Sequence, residues 1–143
     1  MLTNYVIYDN ITGQIYSAGY TSDASTISPP TGQSYLVSSA GQNGDLYYVV
    51  VAGPTLTLRP SQTLTWSGGS SWAHTTTGSL TGIVNPSTVT VDNATGVYAG
   101  NTLPQTATVT SGTLTLAITP PGSYQVTVSS FPYLDTTLGF TVT

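Results

Sequence analysis

Cysteine, glutamate and lysine are all missing from these 143 residues, and arginine occurs once, as Arg59. Each absence excludes something. Without cysteine there is no disulfide, no thiolate metal ligand and no thiol nucleophile, and the redox compartment stays undecided. A single arginine cannot neutralise a nucleic-acid backbone, so nucleic acid is excluded as a partner, and an anionic membrane surface is excluded on the same ground. Charged residues make up 4% of the chain, against roughly 25% in an average soluble domain. The longest apolar run, Leu46 to Gly53, is far too short to span a bilayer. The opening residues, MLTNYVIYDN, have no basic start and no apolar core, so they do not read as a signal peptide.

What is present is enough to fold. Hydrophobic residues are 38% and aromatics 10% of the sequence, which is a folding composition. Solubility has to come from Thr, Ser, Asn and Gln. Charge ordinarily keeps proteins apart. A surface this neutral suits a subunit packed against neighbours, or a protein exposed outside a cell.

The pattern predicts strands throughout. Tyr5–Asp9 and Gln14–Tyr20 form an expected hairpin, joined by Asp9-Asn10-Ile11-Thr12-Gly13 with Gly13 suited to positive φ. Residues 21–32 read as a loop around Pro29-Pro30, Ser34–Ser38 as a short strand, and 42–45 as a turn. Residues 46–51, LYYVVV, read as a buried strand of continuous apolar type. Thr55–Arg59 alternates, and Pro60 reads as a boundary. Beyond it come Thr63–Trp66, an aperiodic loop over 67–78, alternating strands at 87–93, 106–110, 113–119 and 123–129, and a closing strand at 138–143. Ser111-Gly112 is a two-residue hairpin signal. No segment has helical period. The expected architecture is all-β, with a small N-terminal β-hairpin/sheet unit over 1–60 followed by an immunoglobulin-like β-sandwich over 61–143.

Candidate chemistry is thin, and no catalytic residue, metal ligand or cofactor site is expected. His74 is the only histidine, and no Gly-x-Ser-x-Gly elbow accompanies it, so it reads as a solvated loop residue. Asp9, Asp45 and Asp92 sit in turn-like sequence, where aspartate caps its own backbone. No Asp-x-Asp loop suggests calcium. Asp135 has apolar neighbours and needs a donor, and Arg59 is the one cation that could pair with it. Trp66, Trp72, Tyr47, Tyr48 and Tyr133 are candidates for a subunit interface or for stacking against a glycan. Two sequons, at Asn10 and Asn93, fall in expected turns and read as chance. Tyr124, after Pro120-Pro121-Gly122, matches the tyrosine that folds back onto the preceding turn in immunoglobulin-like domains, so it is expected to be a structural corner.

Two segments carry a family likeness. Tyr5-Val6-Ile7-Tyr8-Asp9 with Thr12-Gly13-Gln14-Ile15 and Gly19 resembles the tyrosine-rich opening hairpin of small tail proteins of tailed bacteriophages. Those proteins often end in a Pro-Gly-x-Tyr-x-Val strand and a Pro-Tyr-Leu-Asp step, here Pro121–Val126 and Pro132–Asp135. Tyr48-Val49 to Arg59-Pro60 and Val89 to Asp92 are also similar. Those relatives carry many Asp, Glu and Lys residues, of which this chain has only five aspartates, and residues 21–45 lack their acidic, glutamine-containing segment. The resemblance implies a non-enzymatic structural protein of the virion, tail- or fibre-associated, assembled in the host cytoplasm and released by lysis. Its partners would be other virion proteins and copies of itself, with a trimer as one option. Capsid decoration and host-glycan binding stay open as alternatives.

Overall fold

The computed structural model describes residues 1–38, 44–84, 87–93, 105–118 and 120–143. The chain is all-β and divides into two compact units, Met1–Pro60 and Ser61–Thr143. Among the described residues the one helical turn is a 3-10 segment, Ala24–Thr26, capped by the Asp23 carboxylate accepting from the Ser25 amide.

In the first unit, β1 (Thr3–Asp9) pairs antiparallel with β2 (Ile15–Thr21) and β3 (Gln33–Ser38), in the order β2-β1-β3. A bulge between Ile7 and Tyr8 leaves Tyr16 without a partner in the register. A ribbon of β4 (Tyr47–Val50) and β5 (Thr55–Leu58) supplies the rest of the core. Val6, Tyr8, Ile15 and Val49 are its buried residues, with Leu36, Tyr47, Val51 and Leu56 packed around them. Residues 46–51 therefore depart from the expected buried strand. Only Val49 is buried, while Leu46 and Val50 are exposed. A two-stranded ribbon has one covered face, so a continuous apolar run on it cannot be covered on both.

Gly13 joins the hairpin to the ribbon. Its φ is +76°, its carbonyl accepts from the Val49 amide at 2.9 Å, and a Cβ there would lie 1.8 Å from the Val49 carbonyl oxygen. Only glycine satisfies both constraints.

The second unit holds β6 (Thr65–Ser67), β7 (Ser71–Trp72), β8 (Gly78–Thr81), β9 (Thr88–Asn93), β10 (Gln105–Thr110), β11 (Thr113–Ile118), β12 (Gly122–Ser129) and β13 (Thr136–Val142). They make two four-stranded sheets, β10-β11-β8-β6 and β7-β13-β12-β9. Burial alternates along β11, β12 and β13. The inward residues merge into one cluster: Leu80, Ile83, Val91, Leu114, Leu116, Ile118, Tyr124, Val126, Val128, Phe140 and Val142. The outward positions are mostly Thr, Ser and Gln, as the period-two pattern requires. Ser111 and Gly112 both have positive φ (50° and 77°) between the paired Thr110 and Thr113, which is a type I′ hairpin turn.

Two expectations are corrected in this unit. Residues 67–78 are not simply a loop, since Ser71–Trp72 forms β7 and pairs parallel with β13 through Thr141 and Val142. Asp92 lies within β9, opposite Gln125, rather than at the head of a turn; residues 94–96 lie outside the described residues.

The geometry at Gly13 predicts that Gly13→Ala destabilises the first unit by more than about 2 kcal/mol, adding steric overlap to left-handed strain. Gly32→Ala, also at positive φ (+83°) but with open space around it, should cost only about 1 kcal/mol. Urea unfolding of the two variants measures the difference.

Candidate interaction surface

The sequence-derived candidates separate into core residues and surface residues. Tyr124 belongs to the core. It is 1% exposed, and its hydroxyl donates to the Pro120 carbonyl at 2.7 Å. This is the back-bond to the preceding turn that its position suggested, and it fixes the β11–β12 corner. The Tyr124 ring stacks on Phe140 at 5.5 Å. On Phe140 also stacks Trp72, at 4.9 Å with planes 10° apart, and Trp66 tilts against both. The Trp72 ring lies so close over Gly78 that a Cβ there would meet it at 2.2 Å. Trp66 and Trp72 are thus wedged against the sandwich core, with the Trp72 Nε1 buried. A sugar-stacking platform needs an open ring face, and Phe140 already occupies one face of Trp72.

Tyr47 packs against the first unit's core, and Tyr48 is half-buried on β4. Tyr133 is half-buried, its amide donating to the Ser130 carbonyl at 2.8 Å in the turn that carries the cis Phe131–Pro132 bond. Just before β6, the Gln62 side chain reaches this turn and donates to the Val128 and Leu134 carbonyls, both at 2.9 Å. The Arg59 guanidinium donates to the Gly44 and Asp45 carbonyls at 3.3 and 3.2 Å, and its amide to the Leu46 carbonyl at 2.7 Å, so it clips the turn before β4. Asp135 is exposed in the second unit.

The titratable groups serve turns. Asp9 accepts from the Ile11 and Thr12 amides, both at 2.8 Å, and from the Tyr16 hydroxyl at 3.2 Å. The Thr12 and then the Ile11 amide hold its carboxyl below the ordinary value of 3.8. The Ser25 hydroxyl and amide do the same for Asp23. Partial desolvation and the Asp9 charge raise Tyr16. His74 is exposed, with Nδ1 3.0 Å from the Thr143 carbonyl and its amide donating to the same oxygen. Among the described residues, no nucleophile–base pair includes it, no group of three His or Asp is placed to hold a metal, and no helix is long and apolar enough to cross a membrane.

The feature that sequence reasoning missed is where apolar surface remains exposed. Among the described residues, ten of the eleven exposed large hydrophobics are Met1, Leu2, Ile11, Tyr16, Tyr20, Tyr35, Val37, Leu46, Val50 and Leu58, all in the first unit; Val84 is the eleventh. Two of them, Tyr35 and Val37, share one face with the half-buried Tyr5 and Ile7. Tyr5 pairs with Val37 and Ile7 with Tyr35 across β1 and β3. The alternate residues Val6 and Tyr8 are in the core, so these four project from the opposite face. The signal was the apolar character of both faces of Tyr5–Tyr8 and Tyr35–Val37. Among the described residues β2 pairs on one side only, and it carries neither charge nor proline. A strand edge of that kind invites pairing with another chain.

No protein-family model matches this chain, and no match was found among curated proteins or solved structures.

Two measurements check the site geometry. Tyr124→Phe keeps the ring stack but leaves the Pro120 carbonyl without its donor, and should cost about 1–2 kcal/mol in unfolding free energy. The Asp9 carboxyl, held low by amides formed only in the folded turn, contributes stability above its unfolded value. That contribution is lost as pH falls through the lowered one. A carboxyl-carbon NMR titration should therefore show Asp9 protonating after an unfolded-peptide reference, with the Thr12 amide shift moving in step.

Proposed function

We propose that this protein is a non-enzymatic structural subunit of a tailed-bacteriophage particle, associated with the tail or its fibres. It would act by packing against other virion proteins and copies of itself. The observation that carries this reading is the distribution of surface character. The second unit has a full core and hydroxyl-bearing outer strands, while the first unit has four buried core residues and most of the exposed apolar side chains. A unit of 60 residues with so small a core is marginal alone, and covering its apolar face would stabilise it at roughly 25 cal/mol per Å² buried. Neutral surroundings make that covering cheap, because no lysine or glutamate has to be desolvated. The sequence likeness to phage tail proteins supports the location.

We further infer that the second unit is an immunoglobulin-like sandwich. The sheet orders β6-β8-β11-β10 and β7-β13-β12-β9 support this, as does the Tyr124 back-bond at the corner entering β12. The host-glycan reading draws less support, since Trp66 and Trp72 pack on Phe140.

Sedimentation of the purified chain tests the proposal. The expected result is a species well above the 14.8 kDa monomer. The double variant Tyr35→Lys with Val37→Lys, both exposed on the first unit's apolar face, should return it to monomer with an unchanged circular dichroism spectrum. A wild-type monomer at every concentration would contradict self-association. Electron microscopy of particles lacking the protein then separates locations: missing or shortened tail appendages support the tail, whereas fragile heads with normal tails support capsid decoration instead.

A further inference from the structure

The chain's one cation lies at the joint between its two units. Arg59 is the penultimate residue of the first unit and Pro60 its last, and Ser61 opens the second. Residues 59–64 belong to no strand, and Pro60, Ser61 and Thr63 are exposed. The Arg59 amide still donates to the Leu46 carbonyl, but beyond it residues 60–64 carry no ladder hydrogen bonds, and an exposed segment of that kind is where a native protein is most readily nicked.

Endoproteases of the trypsin class select their bond by placing a lysine or arginine side chain against a carboxylate at the base of the specificity pocket. An average domain of this length, with roughly 25% charged residues, offers many such bonds. This chain has no lysine, and its single arginine is followed by proline. A proline on the leaving-group side replaces the scissile amide N–H with a ring nitrogen, fixes φ and restricts the residue before it. The 143 residues therefore contain no bond that Lys/Arg-directed endoproteases cut efficiently, folded or unfolded.

We propose that Pro60 guards the Arg59 bond, so that the folded chain withstands Lys/Arg-directed endoproteases. Pro60 follows β5 closely and helps to end it, but a strand terminator could be any of several residues, whereas protection of the Arg59 bond requires proline. The Arg59 side chain is needed at this position because it clips the Gly44–Asp45 turn, so the joint keeps its cation and the neighbouring residue removes the liability. This inference is independent of the virion assignment.

The test is trypsin digestion of the full chain, folded in buffer and unfolded in urea, read by intact mass. Three proteins are compared: wild type, Pro60→Ala, and Ser61→Lys, which adds a cleavable bond in the same joint while keeping the proline. Wild type is expected to stay full-length in both conditions. Folded Pro60→Ala should be cut at one bond, after Arg59, roughly tenfold faster than wild type or more, since the proline restrictions are gone. Folded Ser61→Lys should be cut just before Gln62. Should Pro60→Ala prove unfolded by circular dichroism, Ser61→Lys decides whether the joint is accessible. Cleavage of wild type after Arg59 would overturn the proposal. So would a folded Pro60→Ala that resists like wild type and is cut only in urea, because the fold rather than the proline would then protect the joint.

Discussion

A chain with one cation and five carboxylates cannot hold itself together, or keep itself apart from its neighbours, by ionic contacts. Everything else in the structure follows from that constraint. Cohesion rests on backbone ladders and on alternation along strands, and the few carboxylates with clear roles, Asp9 and Asp23, are bound to nearby amides and hydroxyls. The outward positions of the sandwich are filled by hydroxyls such as Thr115, Thr127 and Thr137, the last two joined at 2.8 Å. Hydroxyls donate and accept, so a face made of them can be covered by another protein without burying an unpaired charge. A surface of this kind tolerates both water and a partner.

The two units answer the constraint differently. In the sandwich, Tyr124, Phe140, Trp72 and Trp66 form a continuous aromatic column, and the Tyr124 hydroxyl ties that column to the turn at Pro120. The core is closed on itself. In the first unit the aromatic residues are spread over both faces of a three-stranded sheet, and one face cannot be covered by the small β4–β5 ribbon. The same amino-acid types thus build a self-sufficient core in one unit and an unfinished surface in the other.

How much of this was legible in the sequence depends on how local the determining contact is. The β1–β2 hairpin could be read because Asp9 and Gly13 lie within the turn they shape, and the β10–β11 hairpin because Ser111-Gly112 does. Tyr124 could be read because its partner is four residues upstream. The boundary at Pro60 showed as a change in pattern. The pairing of Ser71–Trp72 with β13 could not be read: two residues have no period, and the partner strand lies about seventy positions away in sequence. The burial of 46–51 could not be read, because an apolar run does not say how many of its faces are covered. The outer face of Tyr5, Ile7, Tyr35 and Val37 stayed hidden for the same reason, since both faces of those strands are apolar and only the fold decides which becomes core.

The central claim is that the first unit's apolar face is covered by protein in the working assembly. Hydrogen exchange on the chain in the proposed assembly, compared with the isolated chain, tests it most directly. The account predicts strong added protection at β2 and β3, around Tyr16–Tyr20 and Tyr35–Val37, with little change along β11 and β12, whose amides are already held in the sandwich. Equal exchange in the two states at β2 and β3 would contradict it.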